Sequence, residues 1–137
     1  MSAEENMAIV RRVYQAFAKG DPEAIDEIVG PDYVCHFMRT EFGREDLKRN
    51  VVAMRAAFPD LQITVEDTFA VEDKVAHRYT MRGTHLGIFM GVPPTGKQVT
   101  FSGIMISRFA SGRDVEDWEY TDMLDVMQGL RLGVLSP

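Results

Sequence analysis

The sequence predicts one α+β domain, with helices packed on one face of a curved antiparallel sheet around an apolar pocket. Three observations carry this. Apolar residues recur at helical spacing up to about residue 58 and at alternate positions after it. The strands of the second half follow one another through short turns, which makes a meander, and helices segregated from such a meander define the α+β class. A chain of 137 residues with 45% hydrophobic residues can build one sizeable core, so residues 1–137 are read as a single domain.

Each element has its own signal. Ser2-Ala3-Glu4-Glu5 reads as a capping box, in which serine and glutamate satisfy each other's orphan amides. Behind it Ile9, Val10, Val13, Tyr14 and Phe17 form one apolar stripe, and Gly20 closes the helix. Asp21-Pro22 opens a second helix, with Ile25, Ile28 and Val29 on its buried face and Gly30-Pro31 ending it. Tyr33 to Met38 is a short strand. A third helix follows Gly43, with Leu47, Val51, Met54 and Phe58 on one side and Pro59 beyond its end.

The period then changes. Leu61, Ile63, Val65, Asp67 and Phe69 alternate with Gln62, Thr64, Glu66 and Thr68, a half-buried strand. Glu72-Asp73-Lys74 turns into a strand from Val75 to Arg82. Gly83 to Lys97 is a long loop rich in glycine and proline. Val99 to Phe109 and Val115 to Thr121 are strands joined by Ser111-Gly112-Arg113, and Met123 to Leu130 is a closing helix.

Composition narrows the function. A formal net charge of −6 disfavours a phosphate backbone as partner, so no nucleic acid is expected. No apolar run reaches the roughly 18 residues of a membrane helix, so no membrane partner is expected. The acidic start lacks the order of a signal peptide, and Cys35 is the only cysteine, which fits a reducing, cytoplasmic setting. The glycines at 83, 87, 91 and 96 lie between strands, which is not the strand–loop–helix context of a phosphate loop. His36, His77 and His85 have no metal-site spacing, and no cofactor is expected.

Phe58-Pro59-Asp60-Leu61, the run Arg78 to His85, Phe89-Met90-Gly91-Val92-Pro93-Pro94-Thr95-Gly96-Lys97, Gly112-Arg113, and Glu116-Asp117-Trp118 with Asp122 carry a resemblance. Together they are similar to the SnoaL-like polyketide (ester) cyclases, within the superfamily of ketosteroid isomerase and nuclear transport factor. The resemblance covers nearly the whole chain. It implies a cone-shaped fold, a homodimer and a cofactor-free ring closure. In that reaction a carboxylate removes a proton beside a carbonyl, and the enolate attacks a second carbonyl. Such a base needs an apolar pocket that raises its pKa, with donors aimed at the enolate oxygen.

The resemblance places the base at Asp122, at the end of the last strand. Period-two alternation puts Trp118, Tyr120 and Asp122 on one face, and two aromatics beside a carboxylate suit a pocket. The competing role of Asp122 is helix N-cap, because it directly precedes Met123-Leu124. Arg78 matches a family arginine that would bind a substrate carboxylate or pair with a pocket acid, against the alternative of a surface arginine. His85 matches a family histidine and is a candidate donor or acid, against the alternative of pinning the long loop. His36 is a pocket-lining candidate or a satisfied core histidine, and His77 is assigned no role.

Trp118, Tyr120 and Met105 complete the candidate substrate contacts. Met105 stands where relatives often carry a polar residue, and Asp114 stands where they usually carry an apolar one, so the last strand is expected to start late or bend there. The apolar residues between Leu86 and Val92 suit a flap over an apolar ligand, or a dimer contact. Three functions follow: a cyclase using Asp122, another lyase, isomerase or hydrolase on the same pocket, or a binder of a small apolar or aromatic ligand. An epoxide hydrolase would require a second inward acid bridged by an arginine.

Overall fold

The computed structural model describes residues 2–130. Helix α1 spans Ala3–Lys19, α2 Glu23–Ile28, α3 Arg44–Ala57 and α4 Met123–Leu130. The strands are β1 Val29–Phe37, β2 Thr40–Gly43, β3 Gln62–Val71, β4 Lys74–Thr84, β5 Gln98–Ala110 and β6 Arg113–Thr121. They form one open, curved sheet in the order β2-β1-β6-β5-β4-β3, with the helices on its inner side. The α+β cone expected from the sequence is the fold observed.

The local signals act as read at several ends. Ser2 Oγ accepts from the Glu5 amide at 3.1 Å, and the Glu5 carboxylate accepts from the Ser2 amide at 3.0 Å. Gly20 closes α1 at φ 68°, a conformation that costs glycine little. Ser111 and Gly112, both at positive φ, make the tight β5–β6 hairpin, whose twist matches that of the strands.

Three expectations are corrected. Asp21 does not cap α2, which starts after Pro22 with no side-chain cap, and Val29 belongs to β1 rather than to the helix. The sheet is not wholly antiparallel: β1 lies parallel to β6, with Cys35 opposite Asp117 and Phe37 opposite Glu119. These strands are far apart in sequence, so no hairpin turn dictates their relative direction. The alternation of β3 breaks at a bulge between Val65 and Asp67, which turns Asp67 and Phe69 to the outer face.

The core fills the space between α1, α2, α3 and the concave sheet face. Ile25, Ile28, Val29, Val51, Phe58, Val75, Tyr79 and Val99 are at most 1% exposed. This packing leaves room at the centre of the cone.

Candidate active site

Between the helices and the sheet lies a cavity of about 380 Å³. Its walls are mainly apolar, from Val13 and Phe17 of α1, Leu47 and Met54 of α3, Phe37, Phe101, Met105 and Met123. Ile88, Phe89 and Met90 of the long loop also line it, and Phe89 packs on Phe58 and Phe101.

Most polar groups come from the inward faces of β4, β5 and β6, and Tyr14 of α1, Tyr33 of β1 and Asn50 of α3 add to them. On β6 alternation points Asp117, Glu119 and Thr121 into the cavity. A bulge at Val115 shifts the register between Arg108 and Phe109, so Asp114 joins Asp117 on the inner face although the two are an odd number of residues apart. This is the bend that Asp114 signals in the sequence. On β4 the inward residues are His77, Tyr79 and Met81, and on β5 they include Ser107.

Tyr79 lies across β5 to reach β6. Its hydroxyl donates to the Glu119 carboxylate at 2.5 Å and lies 2.9 Å from Thr121 Oγ1. Gly103 makes this possible, because a Cβ there would overlap the Tyr79 hydroxyl and ring. Burial pushes the Glu119 carboxyl up to about 7, the nearby Asp117 charge adds to this, and the Tyr79 hydrogen bond opposes it.

A second network runs through His77. Its Nδ1 is 2.6 Å from the Tyr14 hydroxyl and its Nε2 is 2.9 Å from Ser107 Oγ. Burial lowers His77 to about 4, and burial also raises the Tyr14 phenol above its ordinary range. A neutral imidazole that accepts from Tyr14 and donates to Ser107 satisfies all three groups. Beyond it, Tyr33 donates to Asp117 Oδ2 at 2.6 Å. Asp114 and Asp117 are both buried, and burial raises both carboxyls.

The residues singled out in the sequence are distributed differently. Asp122 is exposed and accepts the Asp125 amide at 3.1 Å, so it caps α4. Trp118, Tyr120 and Asp122 follow one alternation, but it is the outward one. His36 is also on the outer face, stacked on Trp118 at 5.4 Å between Glu116 at 2.7 Å and Glu41 at 2.9 Å. The Glu116 hydrogen bond, aided by Glu41, raises its pKa. Arg78 is exposed and pairs with Asp67 at 2.8 Å, so it meets no pocket acid. His85 is fully buried outside the cavity lining. Its Nδ1 is 3.0 Å from Thr95 Oγ1, its amide donates to Lys97, and its carbonyl accepts from Gly96. It pins the long loop. Met105 lines the cavity.

Asp117, Glu119, Tyr79 and His77 are cavity-lining polar residues that the sequence reading did not single out as candidates. The available signal was parity: β6 has two alternating sets, and the one without Trp118 holds two acids and a threonine. Among the described residues, no group of three or more His, Cys, Asp or Glu could hold a metal ion. No described helix is long and apolar enough to cross a membrane.

The fold is thus an α+β cone around an apolar cavity, with carboxyls on the inner face of its last strand. This chain belongs to the SnoaL-like polyketide cyclase family, which matches residues 8–130. AclR from Streptomyces galilaeus, a proposed hydroxylase, is 33% identical at TM-score 0.89, covering 99% of this chain and 87% of AclR. IdmH from Streptomyces antibioticus, a proposed polyketide cyclase, is 34% identical at TM-score 0.80, covering 92% of this chain and 98% of IdmH. A Mycobacterium tuberculosis epoxide hydrolase, 17% identical at TM-score 0.73 over 96% of this chain and 93% of its own, shares the fold. No curated protein sequence matches.

Proposed function

We propose that this protein is a cofactor-free cyclase that closes a ring in a polycyclic aromatic ketone or ester, with Glu119 as the base. One observation carries the proposal: Glu119 sits in an apolar cavity with its pKa near 7, where a carboxyl is both appreciably ionised and basic enough to take a carbon-bound proton. The Glu119 carboxylate removes a proton beside a carbonyl. The enolate carbon attacks a second carbonyl of the same molecule, forming a C–C bond, and the resulting alkoxide takes the proton back from Glu119. Tyr79 orients the carboxylate. Asn50, which lines the cavity from α3, is the amide donor for the enolate oxygen.

This reading moves the base from Asp122 to the inner face of the same strand. It also separates the chain from an arginine-bridged epoxide hydrolase. Inward acids exist, but no arginine lines the cavity among the described residues. The buried, unpaired Cys35 fits a cytoplasmic enzyme.

The test is ring closure of β-keto esters of polycyclic aromatic acids, followed by absorbance and mass. Wild-type protein should turn over at least one of them, and Glu119→Gln should lower kcat by about 10²–10⁴-fold. A Glu119→Gln variant with unchanged kcat would remove Glu119 from the mechanism.

A further inference from the structure

His36 lies outside the cavity, and the ring closure proposed above gives it no task. Each of its ring nitrogens meets a carboxylate: Nε2 is 2.7 Å from Glu116 of β6, and Nδ1 is 2.9 Å from Glu41 of β2. An ionised carboxylate only accepts. Both contacts are therefore hydrogen bonds only when both nitrogens carry a proton, which is the charged imidazolium. From β5, Arg108 donates to the Glu116 carboxylate at 3.0 and 3.1 Å. From β4, the Lys74 ammonium lies over the Trp118 ring at 5.9 Å, and His36 stacks on the same ring. The strands around His36 thus bring two acids onto the imidazole, one of them shared with Arg108.

Loss of one proton breaks one of the two contacts, and the geometry selects which. Glu116 makes the shorter contact, so neutral His36 keeps its proton on Nε2. Glu41 then faces the lone pair of Nδ1, with no other hydrogen-bond or ion-pair partner among the described residues. Glu41 belongs to β2, a four-residue edge strand that pairs with β1 alone. His36 is its register partner across that pair and is also the partner of Trp118 on β6. The inward neighbours of His36 and Glu41 are Phe37 and Phe42, which line the cavity with ring centroids 6.3 Å apart. β2 also leads directly into α3, which adds Leu47, Asn50 and Met54 to the cavity wall.

We propose that His36 is a proton-operated latch on the cavity wall. Charged, it ties β2 to β6 and holds Phe37 and Phe42 in place; neutral, it releases Glu41 and lets β2 and that wall loosen. The Glu116 hydrogen bond, aided by Glu41 and opposed by desolvation, raises the His36 pKa above its ordinary 6.5. The hold is therefore complete below pH 6.5 and is lost as pH rises through the higher folded value. Loosening of the wall is separate from proton transfer at Glu119, so the latch stands or fails apart from the cyclase reading.

Two readouts test it between pH 6 and pH 9. Trp118 is the only tryptophan, and a charged imidazole stacked on an indole quenches its emission more than a neutral one does. Wild-type emission should rise with pH, with a midpoint above 6.5, and His36→Gln should remove that rise. Hydrogen exchange followed by mass spectrometry, corrected for the intrinsic pH dependence of the amides, reads the hold itself. Protection of residues 38–43 should fall by about threefold in wild type between pH 6 and pH 9. It should stay level in His36→Gln and in Glu41→Gln. If neither variant folds, the wild-type curves decide alone. A midpoint at or below 6.5, level protection in wild type, or a fall that survives in a folded variant would overturn the proposal.

Discussion

Glu119 and Asp122 are three residues apart and have opposite surroundings. Asp122 stands in water at a helix start, where its carboxylate satisfies the Asp125 amide. Asp122→Ala should therefore cost about 1 kcal/mol and Asp122→Asn very little, as read by chemical denaturation. Glu119 faces the cavity, with its pKa raised from the ordinary 4.5 to about 7. Below pH 4.5 the group is protonated in both folded and unfolded chains and carries no penalty. As pH rises to 7 the unfolded chain ionises first, so the folded state loses stability. Glu119→Gln should be more stable than wild type above pH 7, by up to about 3 kcal/mol, with the gain vanishing toward pH 4. Tyr79 acts in the other direction. Its hydroxyl holds the Glu119 pKa down, so Tyr79→Phe should move the carboxyl's titration, followed by carbon-detected NMR, to higher pH. A downward or absent movement would break the link between the two side chains.

At the scale of elements, the sequence was legible wherever a signal was local. The Ser2–Glu5 box, the Gly20 stop, the turn at Ser111-Gly112 and the span of α4 were all read from neighbouring residues. Legibility failed where the outcome depended on which face of a strand meets the helices. Trp118 and Tyr120 look like pocket aromatics, yet the inner face of β6 belongs to Asp117 and Glu119. Alternation gives two sets without saying which is buried, and bulges at Val115 and beside Glu66 exchange the sets within one strand. Gly103 shows the same dependence on packing. As a glycine in mid-strand it had no evident local purpose, but its missing side chain lets Tyr79 cross β5 to Glu119. Gly103→Ala should displace the Tyr79 hydroxyl and raise the Glu119 titration, as Tyr79→Phe does. It should also destabilise the fold by about 1–3 kcal/mol through overpacking. An alanine variant with wild-type titration would show that Tyr79 does not need the gap.

At the scale of the molecule, the outer sheet face is unusually apolar. Phe69, Ile104, Ile106 and Tyr120 are all exposed there, Phe69 by 62% and Tyr120 by 61%. Ile106 lies opposite Trp118 and Ala76, and Ile104 opposite Tyr120 and Arg78, so the residues form a continuous patch. A patch of this kind suits a two-fold contact with a second copy. Light scattering should give a dimer, twice the 15.5 kDa chain mass, and Ile106→Lys should give a folded monomer. A wild-type monomer at high micromolar concentration would leave the patch without that role. The dimer would cover the very aromatics that resemble pocket residues in the sequence, while the chemistry stays inside the cone.

That division between the two faces of β6 is the central claim, and hydrogen–deuterium exchange tests it without a known substrate. A bicyclic aryl ketone is incubated in heavy water with protein, and loss of its α-proton signal is followed by NMR. Wild type and Asp122→Asn should catalyse the exchange at similar rates, while Glu119→Gln should be slower by about 10²–10⁴-fold. Exchange that survives in Glu119→Gln and disappears in Asp122→Asn would contradict the account and return the base to the outer end of the strand.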